Sequence, residues 1–144
     1  MPENYVKRIL QANIYDLVKE TPLHDAPQIS KRLGCRVLLK REDLQGVFSF
    51  KIRGAYNRMQ KLSVEEKRLG VIAASAGNHA QGVAMAARKL GVKATIVMPK
   101  TTPEIKIKAV ESLGGKVVLF GDSYDQAAGH AKMLVEEKGM VYIH

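Results

Sequence analysis

A lysine among apolar residues is the first position at which this sequence could do chemistry. Lys51 lies in the stretch VFSFKIRGAY, with Phe48 and Phe50 close by. If Ser49 caps a helix here, the apolar neighbours and the partial positive charge of the helix N-terminus would both disfavour an ammonium ion. A neutral lysine amine is the form that attacks a carbonyl carbon. The stretch therefore indicates a nucleophilic lysine.

The same stretch also has a purely structural interpretation. Apolar residues recur at a spacing of three or four positions, which is typical of one buried helix face. That face would consist of Phe48, Ile52, Ala55, Tyr56, Met59 and Leu62. Lys51 would then lie at its border, with the aliphatic stem packed and the ammonium group in water. This stretch alone leaves both interpretations open.

A second candidate site lies in the sequence ASAGNHAQG, where a predicted strand leads into a helix. The small residues Ser75, Ala76 and Gly77 would let the backbone approach a ligand closely. Asn78 and His79 would open a helix whose free N–H groups favour an anion. The alternative is a tight turn in which Ser75 or Asn78 serves only as a helix cap. Together with the lysine, this loop indicates an imine-forming site beside a carboxylate pocket.

Alternating strands and helices must position these two junctions. Strands are predicted at residues 36–40, 70–75, 93–99, 116–121 and 140–144. Helices are predicted at about 5–19, 49–61, 78–90 and 123–138. A further helix is predicted to begin at a capping box at 63–66, and another to run from an N-cap at Thr102 to about 113. Residues 21–23 read as an extended segment. This order predicts an α/β fold with an open, mainly parallel twisted sheet flanked by helices, in which ligands bind at the carboxyl ends of the strands.

Composition narrows the class of protein. The chain has 144 residues, about one domain, with 46% hydrophobic and 26% charged residues. No apolar run approaches the roughly 20 residues of a membrane span, and the N-terminus lacks a secretory signal pattern. The single cysteine, Cys35, excludes an internal disulfide and fits a reducing compartment. We therefore expect a cytoplasmic protein that does not bind a membrane.

The formal net charge of +9 raises the question of nucleic acid binding. The basic residues are spread along the chain, no aromatic residues alternate with them, and no zinc-finger spacing or recognition-helix signature appears. This favours a solvated basic surface, or one that faces an acidic partner domain. No nucleic acid partner and no metal ion are expected. Neither G-x-G-x-x-G nor a P-loop follows any predicted strand, which argues against a nucleotide site.

Two stretches resemble the threonine dehydratase (threonine deaminase, threonine ammonia-lyase) family. They are KREDLQGVFSFKIRGAYN, residues 40–57, and SAGNHAQGVA, residues 75–84. Weaker matches at 21–23, 96–106 and 116–121 extend the resemblance along nearly the whole chain. Members of this family are pyridoxal-phosphate enzymes with the type II fold of tryptophan synthase β.

The resemblance implies specific roles for the residues that match its motifs. Lys51 would hold pyridoxal 5′-phosphate covalently and take a proton from the substrate Cα, and Asn78 would bind the cofactor's 3′ oxygen. Ser75, Ala76, Gly77, Asn78 and His79 would receive the substrate carboxylate. The implied reaction is β-elimination and deamination of L-threonine, and of L-serine, to 2-oxobutanoate or pyruvate and ammonia, the first step toward isoleucine. Arg53 and Tyr56 would support the helix that carries Lys51, and residues 40–43 would form ion pairs.

The resemblance also implies how the chain is organised. Residues 1–45 would belong to the large domain of such an enzyme, and residues 46–144 would form its small domain. Because the chain stops on a strand, and the family's phosphate-binding loop has no match, we expect a segment of a longer protein that is inactive alone. Its parent would be a homodimer or homotetramer. The alternatives are a serine racemase or serine dehydratase of the same fold, and a non-catalytic isolated domain.

Overall fold

The computed structural model describes residues 4–144, which form a parallel sheet between helices and a separate two-stranded ribbon. The helices are α1 (Tyr5–Leu10), α2 (Pro27–Leu33), α3 (Lys51–Gln60), α4 (Val64–Leu69), α5 (Asn78–Leu90), α6 (Glu104–Ser112) and α7 (Tyr124–Lys138), with a 3-10 turn at Glu42–Leu44. The strands are β1 (Leu23–Asp25), β2 (Leu38–Lys40), β3 (Val71–Ala74), β4 (Ala94–Met98), β5 (Lys116–Leu119) and β6 (Val141–Tyr142). Within residues 4–144, no helix is both long and apolar enough to cross a membrane.

Four parallel strands form the central sheet in the order β5-β4-β3-β6. Val71 of β3 lies opposite both Ala94 of β4 and Val141 of β6, and Thr95 of β4 lies opposite Lys116 of β5. Helices connect successive strands, as parallel pairing requires. The predicted α/β fold with an open parallel sheet is therefore confirmed.

The sheet is covered on both faces, and the strand period of two divides its side chains between two cores. Ala73 and Ile96 point toward α3 and α5, whereas Ile72 and Val97 point toward α7. All four residues of β3 are buried. The continuous apolar run of β3 is thus explained by burial of the strand on both faces, as predicted.

The N-terminal part differs from the sequence-based prediction. The strand expected at 36–40 spans only Leu38–Lys40, and it pairs antiparallel with Leu23–Asp25 rather than joining the parallel sheet. Every residue of this ribbon is exposed. An apolar run of this length does not by itself distinguish a covered strand from an exposed ribbon. The helix expected at 5–19 ends at Leu10.

Helix caps were predicted with mixed success. The capping box is confirmed, because the Ser63 hydroxyl accepts from the Glu66 N–H at 3.1 Å and the Glu66 carboxylate accepts from the Ser63 N–H at 2.7 Å. The N-cap predicted at Thr102 is wrong, since Pro103 occupies that position and Thr102 is buried without capping the helix. Helix α2 was not predicted, although Pro27 at its start and the left-handed Gly34 at its end are typical helix boundaries.

Candidate active site

Lys51 begins helix α3 at its N-terminus, close to where the sequence placed it. Phe50 occupies the N-cap position, and the buried hydroxyl of Ser49 accepts a hydrogen bond from the Lys51 N–H at 3.3 Å. The first N–H groups of a helix have no partner within the helix. Ser49 therefore satisfies one of them, and it orients the residue that carries the amine.

The expected apolar enclosure of the Lys51 side chain is absent, and that prediction is wrong. Lys51 is exposed, and so are its neighbours Phe48 (78% exposed) and Phe50 (57%). Phe48 has a positive φ of 54° and lies before the helix, so it does not continue the apolar face of α3. The buried neighbours Val47 and Ile52 belong to the core instead. The ammonium nitrogen lies 5.3 Å from the centroid of the Phe50 ring.

The buried face of α3 is otherwise confirmed. Its residues Ile52, Ala55, Tyr56 and Met59 are all at most 3% exposed and belong to the main core. The structural interpretation of the stretch is therefore confirmed, because the apolar face packs the helix while Lys51 is exposed beside it. A nucleophilic role for Lys51 stays a prediction.

Helix α5 makes a close approach to the backbone of Lys51. A Cβ atom placed on Gly82 would lie 3.3 Å from the carbonyl carbon of Lys51 and 3.3 Å from the amide nitrogen of Ile52. Asn78 precedes Gly82 by one helical turn, so that both lie on the same side of α5. The absence of a side chain at Gly82 thus lets the helix that begins at Asn78 cross α3 at the lysine.

The predicted anion-binding loop connects β3 to α5 at the carboxyl end of the sheet. The Ser75 hydroxyl accepts from the Gly77 N–H at 3.3 Å, and Gly77 is the N-cap residue of the 13-residue helix α5. Ser75, Ala76 and Gly77 are half-buried, and Asn78 is exposed. No side chain caps α5, so its first N–H groups lack a partner within the helix and favour a negatively charged ligand.

Lys51 and His79 line the same cavity, whose volume is about 270 Å³. The rest of its lining consists of Phe50, Gly54, Ala55 and His144. The His79 Nε2 atom lies 3.0 Å from the carbonyl oxygen of Ile143. Because a carbonyl oxygen only accepts, Nε2 carries the hydrogen, which leaves Nδ1 as an acceptor when the ring is neutral.

Only some of the predicted site residues line this cavity, and one contact of Lys51 was not predicted. The structure brings together Lys51 and His79 in one cavity, whereas Ser75, Ala76, Gly77 and Asn78 lie outside its lining. Gly82 was missed as a contact with Lys51, although its spacing of four from Asn78 places it on the same helix face. Residues 143 and 144 reach the site through the pairing of β6 with β3, and no local sequence pattern encodes which strands become neighbours.

Comparison with known proteins identifies related enzymes. Residues 14–144 match the family described as "Pyridoxal-phosphate dependent enzyme". Over 139 residues the chain is 62% identical to "Threonine dehydratase biosynthetic, chloroplastic" from Arabidopsis thaliana, covering 96% of this chain and 24% of that protein. The structure of the processed form of threonine deaminase isoform 2 from Solanum lycopersicum is 56% identical, with a TM-score of 0.93, covering 97% of this chain and 39% of that one. The structure of maize serine racemase is 36% identical, with a TM-score of 0.89, covering 95% and 42%.

These similarities confirm the resemblance to threonine dehydratases and the fold expected from it. The chain spans about a quarter of the length of the curated relatives it matches. The family match covers most of the chain, including α3, the loop before α5 and the whole parallel sheet. On these grounds, the chain belongs to the pyridoxal-phosphate dependent enzyme family.

Proposed function

We propose that this chain carries the reactive lysine and the substrate-carboxylate loop of a pyridoxal-phosphate-dependent threonine dehydratase. The observation that carries the proposal is the placement of Lys51, whose exposed amine lies on the wall of a cavity beside the first turn of α5. A nucleophilic amine and an anion-binding helix end are the two groups that an amino-acid substrate and its carbonyl cofactor require.

The residues present fit this cofactor. Lys51 supplies an accessible amine for covalent attachment, and Asn78 lies on the helix that crosses α3 at Lys51. When bound, pyridoxal phosphate supplies an electron-accepting ring that stabilises a carbanion at the substrate Cα. Lys51 would hold the cofactor, and after release it would accept the Cα proton as a general base. Asn78 would donate a hydrogen bond to the cofactor's 3′ oxygen.

The loop from Ser75 to His79 would bind the substrate carboxylate. The N–H groups at the start of α5 are uncapped and follow this loop directly. The Ser75 hydroxyl keeps its own hydrogen for a ligand, because it only accepts from Gly77. His79 is held by Ile143, so its ring would shape the cavity rather than act as the base. This arrangement fixes the substrate carboxylate while Lys51 acts at Cα.

The activity of the longer protein follows as part of the same proposal. It would convert L-threonine to 2-oxobutanoate and ammonia, and L-serine to pyruvate, as a homodimer or homotetramer in the cytoplasm. Residues 1–45 would belong to its large domain and residues 46–144 to its small domain. The 144-residue chain alone would release no 2-oxobutanoate, because the phosphate-binding loop expected of this family has no match in its sequence.

Serine racemase is the second candidate. Its supporting observation is the close similarity of fold to maize serine racemase at lower sequence identity. Racemisation and elimination both begin by removal of the Cα proton, so Lys51 and the loop would serve either reaction. D-serine formed without pyruvate by the longer protein would favour this candidate, whereas 2-oxobutanoate formed from threonine would favour the first.

Reductive trapping of pyridoxal phosphate tests the assignment of Lys51. The chain is incubated with the cofactor, reduced with sodium borohydride and digested, and each lysine-containing peptide is examined by mass spectrometry. We expect selective labelling of Lys51, because its amine lies at a cavity beside the first turn of α5.

Two substitutions provide the control. Lys51→Arg should abolish the selective label, whereas Lys61→Arg, at the opposite end of the α3 segment, should leave it unchanged. Labelling spread over many lysines in the unaltered chain would contradict the proposed site.

A further inference from the structure

A single carboxylate behind α3 accepts four hydrogen bonds. Glu42 Oε1 accepts from the Thr21 hydroxyl at 2.5 Å and from Arg53 Nη2 at 2.8 Å. Glu42 Oε2 accepts from Arg53 Nε at 2.8 Å and from the Gln45 side-chain amide at 3.2 Å. A carboxylate has about four acceptor positions, and all of them are used here. Glu42 is therefore the centre of a complete polar cluster, defined by Thr21, Glu42, Gln45 and Arg53.

This cluster is shielded from solvent. Thr21 is 4% exposed and Gln45 is 2% exposed, while the side chain of Glu42 is 15% exposed. The Gln45 side chain also exchanges two hydrogen bonds with the backbone of Lys19, at 3.0 and 2.8 Å. The cluster thus connects the segment around Lys19 to α3 by hydrogen bonds. Loss of these bonds would leave buried polar groups unpaired.

Arg53 connects the cluster to the reactive lysine. It is the third residue of α3, two positions after Lys51, and its N–H donates to the carbonyl of Phe50 at 3.0 Å. Both residues therefore belong to the first helical turn, which is the part of a helix most prone to fraying. The same turn contacts α5 at Gly82. The bidentate pair with Glu42 is thus a second contact that holds this turn in place.

We propose that Glu42 is a positioning residue for Lys51, acting through Arg53 to fix the first turn of α3. This inference rests on the proposed role of Lys51. Glu42 does not touch the cavity that Lys51 lines, so its effect passes through the helix backbone. The carboxylate is needed in its charged form, because a neutral amide at this position places an N–H₂ group against donors of Arg53 or Gln45.

The test compares two Glu→Gln substitutions that each break a bidentate pair with an arginine. Glu42→Gln removes the buried pair. Glu65→Gln removes the exposed pair with Arg68, whose bonds are 2.9 and 2.6 Å long and whose glutamate is 63% exposed. Borohydride trapping of pyridoxal phosphate on Lys51 is measured per folded molecule, at a temperature where circular dichroism shows each variant to be folded.

We expect Glu42→Gln to reduce the rate of trapping at Lys51 about tenfold, since small displacements of a reacting group have large effects on rate. Glu65→Gln should leave the rate unchanged. A second measurement uses no cofactor. Amide hydrogen exchange at residues 51–54 should accelerate in Glu42→Gln and not in Glu65→Gln, while exchange in α5 stays the same in both.

Arg53→Lys covers the case in which Glu42→Gln fails to fold. This substitution keeps the positive charge and loses the planar fork, so the two parallel bonds to Glu42 cannot form. A reduced trapping rate in Arg53→Lys supports the inference, and an unchanged rate overturns it. If the unaltered chain does not label at Lys51, the proposed function fails and this inference fails with it. If all variants label Lys51 normally, only the inference is overturned.

Discussion

The two parts of the chain on either side of residue 46 are stabilised by different interactions. Residues 46–144 enclose a sheet in apolar contacts on both faces, and β3 is buried along its whole length. Among the described residues before position 46, the buried apolar side chains are Ile14, Val18 and Ala26. The ribbon of β1 and β2 is exposed throughout. The first part is therefore attached to the second mainly at a few points.

Ile14 and Val18 pack against the main core, and the polar points of attachment lie along α3. The Tyr56 hydroxyl donates to Asp16 at 2.6 Å, and Arg53 binds Glu42, with both donors on the same helix. Burial, followed by the neighbouring Asp16 carboxylate, raises the pKa of Tyr56 and keeps this hydroxyl protonated as a donor. Hydrogen bonds specify direction, whereas apolar contacts specify only proximity. Packing therefore stabilises the scaffold, while polar contacts set the orientation of the helix that carries Lys51.

The two parts should differ most in how much free energy of unfolding a single truncated side chain costs. Ile96→Ala in β4 removes a side chain that is fully buried in the main core, and it should lower the free energy of unfolding by about 3 kcal/mol. Leu39→Ala in the ribbon removes a side chain that is 44% exposed, and it should cost less than about 0.5 kcal/mol. Urea denaturation followed by circular dichroism measures both. Equal losses would show that the ribbon contributes to the core and would remove the contrast.

Acid should weaken the polar attachment before it affects the apolar scaffold. The hydrogen bonds from Arg53, together with those from Thr21 and Gln45, lower the pKa of Glu42 from 4.5 to about 2 despite its burial. A carboxyl group with a lowered pKa in the folded state stabilises the protein above its unfolded pKa. Its contribution, about 3 kcal/mol, is lost as the pH falls from about 4.5 toward 2.

The Glu42→Gln variant isolates this contribution, because every other carboxyl group is shared with the unaltered chain. The unfolding free energies of both proteins are measured by urea denaturation from pH 6 to pH 2.5. The difference between them should shrink as the pH falls. A difference in unfolding free energy that is constant across this range would mean that protonation of Glu42 does not affect stability.

The sequence predicted the parallel scaffold better than the attachments to it. The Val- and Ile-rich strands and the helix ends at Gly91 and Gly139 carry local signals, and each was found where expected. The bonds of Glu42 to Arg53 and of Asp16 to Tyr56 join positions 11 and 40 residues apart, and no local pattern encodes such a distance. The position of Lys51 was predicted from its motif. Its exposure was not predicted, because a run of apolar residues does not show that Phe48, with its positive φ, lies outside the helix and in solvent.

The smallest expected effect on stability concerns the contact between α5 and Lys51. Gly82→Ala adds a methyl group 3.3 Å from the carbonyl carbon of Lys51, a contact that forces the two helices slightly apart. The strain, typically ~1–3 kcal/mol, opposes a gain in helix propensity of ~1 kcal/mol, so the net loss of stability should be about 1 kcal/mol. The rate of pyridoxal phosphate trapping at Lys51 should fall much more than this loss implies, because the added group displaces the first turn of α3.

Gly129→Ala in α7 is the matched control for this substitution. It is also a glycine inside a long helix, but a Cβ atom placed there meets no atom within 4 Å. It should therefore raise the free energy of unfolding by about 0.5–1 kcal/mol through helix propensity alone, without a change in trapping. If Gly82→Ala is as stabilising as Gly129→Ala and traps normally, α3 tolerates displacement at Lys51. Orientation of the lysine would then not depend on the contacts around its helix turn.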